Sequence, residues 1–183
     1  MRRGFKTEAN ALAGEVRAEL GLGPFDRLDP HVLAKDLDIP VWTVSDFVAE
    51  HPGVAELLGA SHELFSAITV FAGRRRTIVH NDAHKAGRQN SNLAHELAHG
   101  LLGHPPTPAL DNRGCREWNQ DIEDEAAWLG GALLVTEAAA LAIAKNRWSK
   151  EQAAERFAVS AQMIQYRLNT TGANRRVNRA RRR

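Results

Sequence analysis

Two histidines and a glutamate in the middle of the chain have the spacing of a metal-dependent hydrolase. His95, Glu96 and His99 form the pattern H-E-x-x-H. On a helix, residues four apart lie about one turn apart on the same face, so both imidazoles can reach one zinc ion. Glu96 is then placed to take a proton from a water bound to that ion. The pattern predicts hydrolysis of a peptide bond, with Glu96 as the catalytic residue.

The residues around this pattern also favour a metal site. Segment 91–102 is rich in leucine and alanine, which predicts a largely buried helix. A glutamate and two histidines on such a helix need partners, because unpaired polar groups are costly to bury. Zinc is the preferred partner, although manganese and iron accept the same kinds of ligand.

A catalytic zinc takes a third protein ligand and keeps water in its fourth position. His104 does not have the spacing of an H-x-x-G-x-x-H extension, so we interpret it as a loop or helix-end residue. The helix predicted at 121–134 begins with acidic residues, which helix N-termini prefer in any case. Glu123 and Glu125 point about 200° apart around that helix, so they cannot both bind the same ion.

Together the two helices resemble the ImmA/IrrE family of metallopeptidases, which pairs H-E-x-x-H with a later E-x-x-A-[ND]-x-F-A-x-x-L-L-M-P. Glu123, Ala126, Leu133 and Leu134 match that motif in register. The resemblance implies that Glu123 is the third ligand. It also implies that the substrate is a helix-turn-helix transcriptional repressor, cleaved in stress or phage-related regulation. Ala127 departs from the family's Asn or Asp, a group that we expect to hydrogen-bond a ligand histidine.

Peptide hydrolysis also calls for a second donor to the developing oxyanion. The sequence does not choose among four candidate side chains, which are Tyr166, His80, His84 and His104.

The remaining pattern predicts an α+β fold with a mostly helical, zincin-like metallopeptidase core, a small antiparallel β-sheet and C-terminal helices. The strand beside the active helix would pair with an extended substrate through main-chain hydrogen bonds, and which strand forms the edge is left open. Loop 104–120, with three prolines, is predicted to be a mobile lid near the cleft. Helices are predicted at 7–20 and 30–36, the second with Asp29 as N-cap, and strands at 39–44, 66–71 and 76–80, with Gly73 in a turn.

Length and composition indicate a cytoplasmic enzyme. A chain of 183 residues, 43% of them hydrophobic, makes one domain or one domain with a small appendage. No apolar run approaches the length of a transmembrane helix, and the basic N-terminus is followed by a charged helix rather than a secretory signal. A single cysteine, Cys115, excludes an intrachain disulfide and favours a reducing compartment.

The C-terminal part carries most of the positive charge. Residues 145–183 contain 11 Lys and Arg and two Glu, which is +9, so residues 1–144 carry −7 of the total of +2. Segment 149–168 is typical of a helix-turn-helix, in which Gln162, Gln165 and Arg167 could contact bases or phosphates. The arginines that follow could bind phosphates, although the acidic body would oppose tight binding. Such helices can equally serve only to cover a catalytic core, and a basic tail can be merely solvated.

We therefore predict a metallopeptidase domain at 1–145, helix-turn-helix-like helices at 146–172 and a basic tail at 173–183. The preferred function is a zinc endopeptidase of the gluzincin type. The alternatives are a DNA-binding regulator with a non-catalytic zinc site, and a non-enzymatic partner protein of a toxin–antitoxin or prophage pair.

Overall fold

Helices dominate the computed structural model, which describes residues 1–51, 66–73, 75–105 and 119–182. The predicted α+β class is confirmed, because the helices accompany one small three-stranded sheet in these residues. In chain order the elements are α1 (Phe5–Glu19), α2 (Pro30–Asp36), β1 (Val41–Thr43), α3 (Val44–Glu50), β2 (Ala67–Ala72), β3 (Arg75–His80), α4 (Ala86–Leu101), α5 (Gln120–Leu134), α6 (Glu137–Asn146), α7 (Lys150–Phe157), α8 (Ala161–Thr170) and α9 (Ala173–Arg181).

The sheet has the strand order β1-β3-β2, and its pairing is mixed rather than antiparallel as predicted. Strands β2 and β3 form the antiparallel hairpin, with Gly73 in its turn at φ +61°. Strand β1 pairs with β3 in parallel, which the long connection between them permits. Strand β1 is shorter than predicted, because the Thr43 side chain accepts a hydrogen bond from Asp46 N–H and so begins helix α3.

Helices α4 and α5 form the centre of the hydrophobic core. Leu93 and Leu97 of α4 and Leu129 and Leu133 of α5 are fully buried. At the crossing, a Cβ on Gly130 would lie 2.9 Å from the carbonyl oxygen of Ala94, closer than real side chains approach. The two helices are therefore close enough here for short side chains to meet between them.

Two buried guanidinium groups hold the end of α5. Arg17 Nη1 donates to Leu133 O at 2.6 Å, and Arg167 Nε donates to Val135 O at 2.8 Å. Carbonyl groups at a helix C-terminus lack intrahelical partners and favour a cation, which explains both contacts. Burial lowers the pKa of both arginines, that of Arg167 to about 10, which leaves Arg167 cationic near pH 7. Arg167 is 0% exposed, so the prediction that it contacts nucleic acid is corrected.

The predicted helix-turn-helix segment does form two helices, α7 and α8. Ser149 caps the first in a capping box, and Ser160 accepts from Met163 N–H at the start of the second. Phe157 and Ile164 join the same hydrophobic cluster as the buried residues of α4 and α5. The division into three parts at 145 and 172 stays a prediction.

The predicted basic tail is helical over Ala173–Arg181. Ala173 is fully buried, Arg176 forms an ion pair with Glu137 of α6, and Arg181 Nη2 donates to Lys145 O at 2.7 Å. These contacts attach α9 to α6.

Among the described residues, no helix taken alone is long and apolar enough to cross a membrane. Helices α5 and α6 meet that test only as a pair, across a bend of 63°.

The close crossing of α4 and α5 gives a stability prediction. In the metal-free protein, Gly130→Ala should lower the free energy of unfolding by ~1–3 kcal/mol, because the added methyl group meets the Ala94 carbonyl. Gly14→Ala in α1 is the matched control: its Cβ meets nothing within 4 Å, so helix propensity should raise stability by up to ~1 kcal/mol. Urea unfolding of the three proteins measures both effects, and equal stability of Gly130→Ala and the parent would contradict the packing argument.

Candidate metal centre

Two neighbouring helices bring the three predicted ligands together. His95 and His99 lie on α4, and Glu123 lies in the first turn of α5, which Asn119 caps by accepting from the N–H groups of two following residues. His95 Nε2 is 3.1 Å from His99 Nε2 and 3.1 Å from Glu123 Oε2, and His99 Nε2 is 3.8 Å from that oxygen. The three side chains can hold one metal ion.

This geometry fits zinc. Ligand atoms about 2.0–2.1 Å from a tetrahedral zinc lie about 3.3 Å from one another, close to the separations found here. Two imidazoles and one carboxylate also leave a fourth position for water, as in catalytic zinc sites. That these residues bind a metal stays a prediction.

Glu96 lies beside the three ligands and is fixed by a strand. Thr69 of β2 donates its hydroxyl to Glu96 Oε2 at 2.6 Å. In the strand order of the described residues, β2 is at one end of the sheet. Strand β2 is thus an edge strand that contacts the helix of the H-E-x-x-H motif, and substrate pairing along it stays a prediction. The sequence analysis missed Thr69, because no spacing in the sequence links a strand residue to a helix residue far along the chain.

His104 contacts His99, one of the three predicted ligands, but does not itself belong to that set. Its Nδ1 lies 2.9 Å from His99 Nδ1, and its Nε2 lies 3.5 Å from Glu125 Oε2. It is outside the group of three that could hold a metal, in agreement with its interpretation as a helix-end residue. Both ring nitrogens of His104 face protein groups, which disfavours His104 as an oxyanion donor, and that role stays a prediction.

Partial burial lowers the pKa of two histidines of the centre, His99 and His104. Burial, and after it the charge of His95, lowers the pKa of His99 to about 4. Burial also lowers the pKa of His104, against the opposing effect of Glu125. Neutral imidazole is the form that binds a metal, so His99 needs to lose no proton near pH 7.

A cavity of about 460 Å³ opens beside His95. Tyr166 lines it, and burial raises the pKa of Tyr166, so its hydroxyl stays protonated and can donate. Among the candidate oxyanion donors, Tyr166 is the one that shares this cavity with a ligand. His80 and His84 do not line it; His80 is buried with its ring 5.7 Å from that of His31.

Gln162 lines the same cavity, and its contact with nucleic acid stays a prediction. Gln165 donates to Asn169 Oδ1 at 2.8 Å. Ala127 also lines the cavity, and its methyl group offers no hydrogen bond to a ligand. Cys115 and residues 106–118 of the predicted lid lie outside the described residues.

A comparison with protein families places the chain beside known peptidases. The model of a peptidase family, described as the IrrE N-terminal-like domain, matches residues 50–169. That span contains the H-E-x-x-H motif and Glu123, and it extends to the end of α8. None of the curated proteins compared with the chain matches it.

The geometry of the centre predicts that two adjacent acidic residues of α5 differ in their effect on zinc binding. Glu123→Gln should lose tightly bound zinc, because a neutral amide is a far weaker ligand than a carboxylate. Asp124→Asn is the matched control, since Asp124 accepts from Gln120 at 2.7 Å on the solvent side of the helix, and it should keep about one zinc per chain. Metal analysis after dialysis, with circular dichroism to check folding, makes the comparison. Equal zinc content in both variants would remove Glu123 from the ligand set.

Proposed function

Because the chain belongs to the IrrE N-terminal-like family of metallopeptidases, we propose that it is a zinc-dependent endopeptidase of the gluzincin type, which cleaves a peptide bond in a protein. One observation carries this proposal: His95, His99 and Glu123 converge with separations suited to one tetrahedral ion. Glu96 stands next to them, held by Thr69.

The mechanism assigns a proton path to Glu96. Zinc, when bound, would supply Lewis-acid polarisation of the scissile carbonyl and of the attacking water. Glu96 accepts a proton from that water as its oxygen attacks the carbonyl carbon, and then passes the proton to the leaving amine nitrogen. The Thr69 hydroxyl orients the carboxylate for both transfers. Tyr166, with its protonated hydroxyl, is the donor that we assign to the carbonyl oxygen as it becomes negative.

The substrate that we propose is a helix-turn-helix transcriptional repressor. The support is the resemblance of the two metal-site helices to the ImmA/IrrE motifs. Cleavage would switch genes on in stress or phage-related regulation, and it would take place in the cytoplasm, where such repressors bind DNA. An extended segment of the repressor would pair with β2, which lies on the Glu96 side of the centre.

Glu96→Gln tests the proposed mechanism directly. The variant should keep its zinc and cleave at a rate lower by about 10²–10⁴, because the amide cannot accept the proton of the attacking water. The exposed Glu155→Gln in α7 is the matched control and should cleave like the parent.

Each protein is incubated with a helix-turn-helix repressor encoded beside its gene, with and without chelator, and the fragments are identified by mass. Cleavage by Glu96→Gln at the parental rate would contradict the role of Glu96.

A second candidate function is weak, sequence-independent binding of nucleic acid through α9. Arg175, Arg179 and Arg182 are exposed and follow one another at spacings of four and three residues, which places them on one face of the helix. Arginines in such a row can contact successive phosphates and displace their counterions. The net charge of −7 on residues 1–144 keeps this affinity low.

The α9 proposal predicts a change in salt dependence. Replacing Arg175, Arg179 and Arg182 by Gln should weaken DNA binding and reduce the slope of log affinity against log salt by up to about 2.7, at roughly 0.9 for each phosphate that is no longer neutralised. A control variant with Arg27, Lys35 and Lys85 replaced by Gln has the same net charge and should bind more tightly than the α9 variant. Fluorescence anisotropy with a labelled duplex gives both values. Equal binding by the two variants would show that α9 is not the contact surface.

A further inference from the structure

Three side chains contact one another in a row that begins at the proposed metal position: His99, His104 and Glu125. We propose that His104 and Glu125 are positioning residues, which fix the ring orientation and the tautomer of His99 for metal binding. In this chain they take the role expected of the Asn or Asp that Ala127 replaces. The inference rests on the proposed metal site and adds an outer layer to it.

The distances between their atoms show the order in which the three side chains contact one another. His99 turns Nε2 toward His95 and Glu123, so its Nδ1 is the atom left for a partner. That atom lies 2.9 Å from His104 Nδ1, and His104 Nε2 lies 3.5 Å from Glu125 Oε2. The side chains of His104 and Glu125 are only 9% and 16% exposed, so solvent competes little for these contacts.

Metal binding through His99 Nε2 would determine which nitrogen carries the hydrogen in the imidazoles of His99 and His104. A neutral His99 that offers the lone pair of Nε2 to a metal carries its hydrogen on Nδ1. It can donate that hydrogen only if His104 Nδ1 is an acceptor, which puts the His104 hydrogen on Nε2. That hydrogen points to Glu125 Oε2. A carboxylate at the end of this row therefore favours the one tautomer of His99 that binds metal through Nε2.

The backbone holds His104 in place independently of the residues after it. Helix α4 ends at Leu101, and Gly103 adopts the left-handed conformation at φ +63°. His104 N–H donates to His99 O at 3.0 Å and Gly103 N–H donates to Gly100 O at 3.1 Å, which is the Schellman pattern of a helix C-terminus. This pattern brings the residue after the glycine back beside the third residue from the helix end, which here is His99.

Position 127 explains why the protein needs this arrangement. Ala127 lines the cavity beside His95 and cannot hydrogen-bond an imidazole. Glu125, two residues earlier, does not line the cavity and reaches His104 instead. A carboxylate from α5 thus still supports a predicted ligand histidine. The histidine is His99, and the imidazole ring of His104 lies between the two.

Zinc affinity is the quantity that tests the proposal, measured on the full chain by competition with a fluorescent chelator. His104→Leu should weaken zinc binding by about 10–100-fold, because it leaves His99 Nδ1 without an acceptor. His104→Asn keeps an oxygen acceptor near the Nδ1 position and should recover most of the affinity. Asp124→Asn, on the same helix turn as Glu125, is the control and should bind like the parent.

A double-variant cycle separates positioning from mere packing. Glu125→Gln should weaken zinc binding in the parent but change nothing further in the His104→Leu background, since the connection to His99 is already broken. Thermal unfolding of the metal-free proteins checks that each variant folds. Glu125→Gln keeps the shape of the side chain. Its effect on zinc affinity therefore still tests the proposal if His104→Leu does not fold.

Parental affinity in His104→Leu, equal losses in His104→Leu and His104→Asn, or additive effects in the cycle would each overturn the proposal. Failure of the proposed function looks different. In that case the parent itself would not bind zinc, or it would bind zinc tightly and cleave no repressor while the affinity pattern of the variants still held.

Discussion

The close contact between α4 and α5 is the constraint on which the metal centre depends. Imidazole and carboxylate side chains are short, and their ligand atoms must come within about 3.3 Å of one another around a tetrahedral zinc. Gly130 lies seven residues, or about two turns, after Glu123 and therefore on the same face of α5. Its missing side chain lets α5 approach the Ala94 carbonyl, one residue before the first histidine. A larger residue at this crossing would separate the ligands even with all three in place.

Both ends of α5 are also fixed, which helps to keep Glu123 close to the two histidines. Asn119 satisfies N–H groups at its start, within one turn of Glu123. Arg17 and Arg167 donate to carbonyl oxygens at its end, from α1 and α8. Burying a guanidinium is costly, and the negative end of a helix offsets part of that cost by accepting hydrogen bonds and attracting the positive charge. The helix that carries the predicted third ligand is thereby held to two other helices, α1 and α8, in addition to its crossing with α4.

The local parts of this site could be predicted from the sequence. The four-residue spacing of the histidines fixes a shared helix face, and the family motif singles out Glu123, which the structure places 3.1 Å from His95. The contact between Thr69 and Glu96 and the parallel pairing of β1 could not be predicted, because both depend on how distant segments meet. The His104 contact is an intermediate case. A glycine followed by histidine just after a helix predicts a Schellman turn, and that turn alone places the histidine beside His99.

Helix α8 shows what a helix-turn-helix pattern leaves open. Gln162, Arg167 and their neighbours have the spacing of a recognition helix, but that pattern does not say which face is covered. A Cβ on Gly131 would lie 2.8 Å from Arg167 Cδ and 3.2 Å from Tyr166 Cε1, so α8 packs directly on the ligand-bearing helix. Its polar face forms a wall of the cavity beside His95, and its arginine holds the end of α5. The family match ends at residue 169, within this helix, and α9 begins four residues later. Helix α8 is thus part of the packing around α5, and the arginines of α9 lie outside the span of the family match.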